Sequence, residues 1–377
     1  MNIIFVGGGA STLVAANLLK KKNPSIHITI IDKKAKLGRK LAMTGNGKCN
    51  LAPLKDDINK YNNPSFASSL FKEIPLEEYL NILSELGIPT RLIKEHGYYP
   101  LCENAANVVD ILLSNLKDVT IINDEVIDYD KTTLKLASGR ELSGNKIVFA
   151  TGGKSYPDSG SDGNLFSVFA KHEYQINPLK PSLCPIKVKE NIKSLFGARN
   201  HASIALINQK GQVVYQENGE IMFKKDALSG IAIMNMSSYI SHHPDEYKIE
   251  LDFLMDNKFV IGELNNYQTL LGYVNKPIAE YILRINHLNP LDKAINNKEI
   301  LEKQLRGLTF HYDDLYDFDY AQITCGGIDI KEIDQSFMSK KENNIYFMGE
   351  MLDIDGRCGG YNLRYALTSA IKLVKGL

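Results

Sequence analysis

Apolar and polar positions change period several times along the chain, and the first changes come early. Ile3–Val6 is an unbroken apolar run, as expected of a short strand buried on both faces. Gly7-Gly8-Gly9 breaks it, and Ala10–Lys22 then spaces its apolar residues, Leu13, Ala16 and Leu18 among them, as a helix does. A second apolar run, Ile26–Ile31, lies between Pro24 and Asp32. Strand, glycine turn, helix and strand within about 30 residues make a βαβ unit, the context a phosphate-binding glycine turn needs.

Leu76–Leu86 and Ala105–Leu116 read as amphipathic helices, and Val119–Arg140 as a small antiparallel excursion turning at Ser138-Gly139. Lys146–Ala150 is another apolar strand, ending in Thr151-Gly152-Gly153. From about Pro181 an alternation of period two takes over, as in Ala202–Ile207 and Gln212–Tyr215, which predicts a β-rich module. Asn257–Arg306 is polar and helical, with no glycine between Gly272 and Gly307. Ala321–Ile328 turns apolar again, and Asn344–Val374 repeats the strand–turn–helix order of the N-terminus. The pattern predicts an α/β protein: a Rossmann-like domain made of both chain ends, interrupted by a β-rich module with a helical insertion.

Composition sets bounds on this picture. A chain of 377 residues can bury the cores of two or three domains. Lysine plus arginine equals aspartate plus glutamate at 44 each, so the balance asks for neither nucleic acid nor an anionic membrane. Cys49, Cys102, Cys184, Cys325 and Cys358 are scattered, odd in number and without a C-x-x-C pair, which fits a reducing compartment. No metal site is expected, since His242-His243 and His287 lack acidic or cysteine companions at ligand spacing. No apolar run approaches the ~18 residues of a membrane span, and no secretory pattern precedes the first strand, so the expected location is cytoplasmic. Charge is uneven only locally: between Lys20 and Lys48 stand nine basic residues and one acid, Asp32. They form either a solvated face or a phosphate-facing patch.

The first turn carries chemistry. Gly7 permits the sharp exit from the strand, and Gly9 lets a diphosphate approach the helix N-terminus, where unpaired N–H groups favour negative charge. Thr12 stands where the third glycine of G-x-G-x-x-G belongs; that glycine serves helix–strand packing, so its loss removes no phosphate donor. Asp32 follows Gly7 by 25 positions, beyond the usual spacing of about 20, and ends the second strand as an acceptor for ribose hydroxyls. Gly45-Asn46-Gly47-Lys48 is not a P-loop, because Ala42 and Cys49 break G-x-x-x-x-G-K-[ST] at two positions. Beside Arg39 and Lys40 it suits a backbone running close to a flat, anionic ligand, or else a surface turn. Near the C-terminus, Gly349-Glu350, Asp353, Asp355 and Gly359-Gly360 repeat the strand–glycine–acid order before a helix starting near Tyr361. Two ligand-approaching turns at opposite chain ends imply a long ligand, and a helix N-terminus there would stabilise a reduced flavin.

The segments GRKLAMTGNGKCN (Gly38–Asn50), ATGG (Ala150–Gly153), PSLCPI (Pro181–Ile186), ITCGGI (Ile323–Ile328) and GEMLDIDGRCGGYNLRYA (Gly349–Ala366) resemble, in order, the bacterial flavoprotein family of YhiN/BaiN-like oxidoreductases and aminoacetone oxidase. The resemblance implies three domains. A discontinuous, GR2-type FAD-binding domain would span 1–181 and 335–377, a β-rich substrate-side domain 182–256 and 307–334, and a small helical domain 257–306. It implies bound FAD, with Gly7, Gly8, Gly9, Ala10 and Ser11 at the diphosphate and Asp32 and Lys33 at the adenosine end. Arg39, Lys40, Thr44, Gly45, Asn46 and Asn50 would lie along the cofactor, as would Val126, Thr151, Gly152 and Gly153. Gly349, Glu350, Asp353, Gly360, Tyr361 and Asn362 would hold the ribityl and flavin end.

The chain departs from the family pattern in the β module. Family members resemble F-T-H-x-G-L-S-G-P where this chain reads Phe223-Lys224-Lys225-Asp226-Ala227-Leu228-Ser229-Gly230-Ile231, so Lys224 and Lys225 replace a threonine–histidine pair. They are the candidate catalytic residues, with Lys225, at the histidine position, expected ahead of Lys224. The expected function is an FAD-dependent oxidoreductase acting on a small molecule that enters between the FAD and β-rich domains. NAD(P)H-dependent reduction of an activated double bond comes first. An amine oxidase releasing hydrogen peroxide, and a flavoprotein without turnover, are the alternatives. Oligomeric state is left open.

Overall fold

The computed structural model describes residues 1–94, 96–255, 264, 267–289 and 298–377. They fall into two compact units, Met1–Lys180 with Ile323–Leu377, and Pro181–Gln322.

The first unit is built on a parallel sheet of five strands: β1 (Asn2–Val6), β2 (His27–Asp32), β3 (Thr120–Asn123), β4 (Lys146–Phe149) and β5 (Ile345–Phe347), in the spatial order β5-β4-β1-β2-β3. Ile3, Ile4 and Phe5 are wholly buried, as a strand covered on both faces requires. Helix α1 (Ala10–Lys22) makes the crossover from β1 to β2 and packs against the last helix, α2 (Tyr361–Gly376). Its one buried amide, Asn17, donates to the carbonyls of Leu13 and Leu112 at 2.7 and 2.9 Å, so it costs the core little. The order switches direction at β1, with β2 on one side and β4 on the other. In such sheets ligands bind outside the carboxyl ends of the strands at that point.

Thr120–Asn123 departs from the expected antiparallel excursion. It joins β2 as a parallel edge strand, because the helix Ala105–Ser114 before it makes another crossover. Only Val126–Asp130, Thr133–Leu136 and Glu141–Ser143 form the antiparallel sheet.

In the second unit six strands close a barrel, in the order Ile186–Val188, Ala227–Ser229, Val213–Phe223, Arg199–Asn208, Tyr247–Asp252, Leu308–Leu315. Tyr247–Asp252 shows why: Tyr247, Ile249 and Leu251 are buried while Lys248, Glu250 and Asp252 are not. The sequence places 257–306 in a helical domain of its own. Residues 256–263, 265, 266 and 290–297 of that region lie outside the described ones. Of the rest, Leu270, Ile278, Ile282, Leu301 and Leu305 share the core of Ile204, Ile249 and Phe310 from the barrel. The unit boundaries also differ from the expected ones: Ile323–Ile328 sits in the first unit, paired with Ile176–Ser182. No helix among the described residues is long and apolar enough to cross a membrane.

Candidate functional site

The glycine turn after β1 is shaped by its own neighbours. Gly7 has φ +97°, and a Cβ there would stand 2.6 Å from the Ala150 carbonyl oxygen. Gly8 donates its N–H to Asp32 Oδ2 at 2.7 Å, and a side chain on it would strike Leu37. Gly9 is different. Its φ of −80° is open to any residue, and a Cβ would find nothing in the protein nearer than 3.9 Å. Neither strain nor packing asks for glycine there; close approach of a ligand does. Gly9 caps α1 without a side-chain bond, and the first turn, Ala10 to Leu13, holds no acid, so the helix dipole and opening N–H groups remain for an anion. These features fit the diphosphate of a dinucleotide.

Thr12 is wholly buried and donates its hydroxyl to the Gly7 carbonyl at 2.6 Å. It therefore fixes the turn from within. Ser11, also buried, donates to the Ala366 carbonyl of α2 at 2.9 Å and lies against Gly349, whose φ is +73°.

The loop after α1 and β2 comes next. Arg39–Met43 is a short helix with Arg39 exposed, followed by a tight turn over Thr44–Gly47 in which Gly45 and Asn46 are left-handed. Thr44 donates to the Leu41 carbonyl at 2.7 Å. Asn50 donates to the His96 carbonyl, while its buried Oδ1 has no partner. That oxygen lies 2.6 Å from where a Cβ on Gly360 would stand, so a glycine is required at the start of α2. An orphaned acceptor beside two glycine turns is a group a ligand can satisfy.

At the ends of β4 and β5, Thr151 and Gly152 are half-buried, and Gly153 is packed against Thr324. Glu350 pairs with Lys40 at 2.7 Å. Asp353 accepts from Asn62 at 3.0 Å and from Asn177 at 2.7 Å. Tyr361 is bonded through its carbonyl to the Tyr61 hydroxyl, and Asn362 is occupied at both ends of its amide by Gly356. Val126 opens the small antiparallel sheet with its side chain in the core. Most of the expected cofactor residues thus converge at the carboxyl ends of β1, β4 and β5.

The basic stretch from Lys20 to Lys48 is not one patch. Lys20, Lys21 and Lys22 close α1, where cations suit the helix end. Lys21 pairs with Glu85, Lys33 with Asp162 at 2.5 Å, Lys40 with Glu350 and Lys48 with Glu103.

Lys224 and Lys225 lie in the second unit, on the hairpin turn between Val213–Phe223 and Ala227–Ser229, closed by the Lys224 N–H to the Ala227 carbonyl. Lys224 is half-buried, its Nζ 5.6 Å from the Tyr316 ring centre and 5.9 Å from that of Tyr320. Lys225 is exposed.

Sequence reasoning missed the residues that hold these turns together. Arg364, wholly buried, grips Asp56 through two bonds of 3.0 and 2.9 Å, reaches the Ile74 carbonyl and stacks on Phe71 and Tyr79. It anchors the first turn of α2. Ser155 and Thr324 were missed too, since single hydroxyls far apart in the chain carry no local signal.

Residues 1–375 match the family model described as the HI0933-like protein Rossmann domain. The 3-dehydro-bile acid delta(4,6)-reductase of Clostridium scindens is 28% identical over 391 aligned positions, covering 96% of this chain and 95% of that protein. The ribosomal RNA dihydrouridine synthase of Escherichia coli is 26% identical, covering 97% and 95%. Among solved structures, a 3-ketosteroid delta1-dehydrogenase from Sterolibacterium denitrificans is similar in fold, with a TM-score of 0.51 at 9% identity over 99% of this chain and 98% of that one. A match over nearly the whole chain, on a fold whose glycine turns fit a dinucleotide, settles the family: the chain belongs to the HI0933-like Rossmann family and is an FAD-dependent oxidoreductase.

Proposed function

We propose that the protein reduces a carbon–carbon double bond conjugated with a carbonyl, taking its electrons from NADH or NADPH. The observation that carries this reading is the near full-length match to two relatives, a 3-dehydro-bile acid delta(4,6)-reductase and a ribosomal RNA dihydrouridine synthase, whose names both point to reduction of a double bond. FAD, when bound, supplies the two-electron chemistry. The chain's own residues supply the rest. Gly9 and the α1 N-terminus hold the diphosphate, Asp32 accepts from the adenosine ribose, and the turns at Gly153 and Gly349 border the flavin end. A proton must reach the carbon next to the carbonyl, and Lys224 Nζ is the candidate donor, partly desolvated by two tyrosine rings.

A small molecule is favoured over RNA as substrate, because the chain's 44 basic and 44 acidic residues leave no net charge for phosphates. Anaerobic mixing of the FAD-loaded protein with NADH or NADPH tests the donor by bleaching of the oxidised-flavin absorbance. A 3-oxo-4-ene steroid, a ribosomal RNA fragment without dihydrouridine and a primary amine are then offered in separate arms. The expected result is bleaching by a nicotinamide and recovery with the enone. Recovery with RNA alone would move the substrate class. Bleaching by the amine and not by either nicotinamide, with peroxide formed on admitting air, would replace the reductase by the oxidase.

A further inference from the structure

A partly buried polar cluster joins four distant stretches of the first unit. Lys40 Nζ donates to Ser155 Oγ at 2.6 Å and to Glu350 Oε2 at 2.7 Å. Ser155 Oγ donates to Glu350 Oε1 at 2.9 Å, and the Thr324 N–H donates to the same oxygen at 2.9 Å. Thr324 Oγ1 accepts the N–H groups of Lys154 and Ser155 at 2.7 and 3.0 Å. Ser155 is wholly buried and Thr324 is 2% exposed. The cluster abuts the turn after β4: a Cβ on Gly153 would stand 2.3 Å from Thr324 Oγ1 and 3.2 Å from Glu350 Oε1.

A lysine–glutamate pair neutralises itself, so charge balance alone asks for neither hydroxyl. What the hydroxyls add is orientation. A lysine ammonium is a point charge on a flexible four-carbon stem. Here Ser155 and Glu350 occupy two of its three N–H groups from one side, and Thr324 holds both of those partners through backbone and side chain. Tetrahedral geometry then turns the third N–H away from the cluster, and the Lys40 side chain remains 25% exposed.

We propose that Ser155 and Thr324 are positioning residues that fix the Lys40–Glu350 pair, so that the ammonium presents its remaining N–H to an anionic group of bound FAD. That group is either the diphosphate or the ring once reduced. The inference rests on FAD as the cofactor and is independent of the substrate.

The test uses apo-protein of wild type, Ser155→Ala, Thr324→Val and Thr324→Ser, reconstituted with FAD. Affinity for oxidised FAD, the two-electron midpoint potential and the melting temperature of each apo form are measured. If the cation meets the diphosphate, Ser155→Ala and Thr324→Val bind oxidised FAD about tenfold more weakly at unchanged potential. If it meets the reduced ring, oxidised FAD binds as in wild type and the potential falls by about 30 mV, the two-electron equivalent of tenfold. Thr324→Ser, which keeps the acceptor, behaves as wild type in either case. Wild-type affinity and potential in both Ser155→Ala and Thr324→Val overturn the proposal, whether or not their apo forms melt earlier. Failure of wild-type apo-protein to take up FAD would sink the cofactor reading itself, a result distinct from variants that match wild type.

Discussion

Asp32 reaches back across the glycine turn to Gly8, accepting its N–H on Oδ2 at 2.7 Å while Oδ1 accepts the N–H of Lys34 at the same distance. The acid at the end of β2 therefore builds the turn, a task separate from the ribose contact proposed for it.

The first prediction follows from that double role. Asp32→Asn has one oxygen where the carboxylate has two, so its amide must face one of the two N–H groups. One charge-assisted bond is lost and a donor is left unmatched, at about 1.5–3 kcal/mol. The apo-protein should melt earlier, and FAD retention should fall with it. Unchanged apo stability alongside weaker FAD binding would limit Asp32 to the ribose.

Thr12 gives the second. Its hydroxyl holds the Gly7 carbonyl and its side chain is buried, so Thr12→Gly should keep FAD binding near wild type. Stability should drop by about 1–2 kcal/mol, from the lost bond and from glycine inside a helix. Urea unfolding of the apo form measures the cost. Loss of FAD binding without loss of stability would make Thr12 a ligand contact after all.

A third concerns Arg364 and Asp56. Removing the acid leaves a wholly buried guanidinium without its carboxylate, which costs about 3–5 kcal/mol. Asp56→Ala should therefore fail to fold at ordinary temperature or melt far earlier. A small shift in the melting curve would show that Phe71, Tyr79 and the Ile74 carbonyl suffice to hold Arg364.

These cases show what the sequence discloses and what it does not. β1, α1, β2 and the glycine turn were legible because each depends on residues next to each other: an apolar run, helical spacing, a glycine with positive φ. The barrel was legible as alternation but not as closure, since closure is a pairing of Ile186–Val188 with Leu308–Leu315 across more than a hundred residues. Thr120–Asn123 was misplaced because a short edge strand looks alike in either direction. Ser155, Thr324 and Arg364 act through partners tens or hundreds of positions away, and no local pattern marks them.

The fourth prediction is a pH dependence. Burial pushes the Cys49 thiol up to about 11 and that of Cys184 up to about 12. In the unfolded chain a thiol releases its proton near 8.5. The folded state thus keeps protons that the unfolded state gives up, so the stabilising contribution is whole below about pH 8.5 and is lost as pH rises towards 11. The slope is about 1.4 kcal/mol per pH unit for one thiol within that window. Stability measured from pH 8 to 10.5 should fall less steeply in Cys49→Ala than in wild type. Parallel curves would mean that Cys49 ionises alike in both states.

The last prediction concerns Lys224 and Lys225, the two candidate catalytic lysines. Lys224 stands over two tyrosine rings, and Tyr316 in turn donates to Asp226 Oδ1 at 2.6 Å, so the side chain is held and partly shielded from water. Lys225, next along the same turn, is exposed. A proton donor works best when its position is fixed, which favours Lys224 over Lys225, the reverse of the order expected from the sequence. Lys224→Ala should keep full FAD content and lose turnover with an enone by about 10²–10⁴-fold, the usual worth of a general acid. Lys225→Ala should stay near wild type. Single-turnover reoxidation of the reduced protein separates this from a binding defect: raising the substrate concentration restores the rate if Lys224 only binds, and leaves it low if Lys224 delivers the proton. A large loss in Lys225→Ala with none in Lys224→Ala would reverse the assignment. Normal rates in both would return the pair to the solvent and leave water as the proton source.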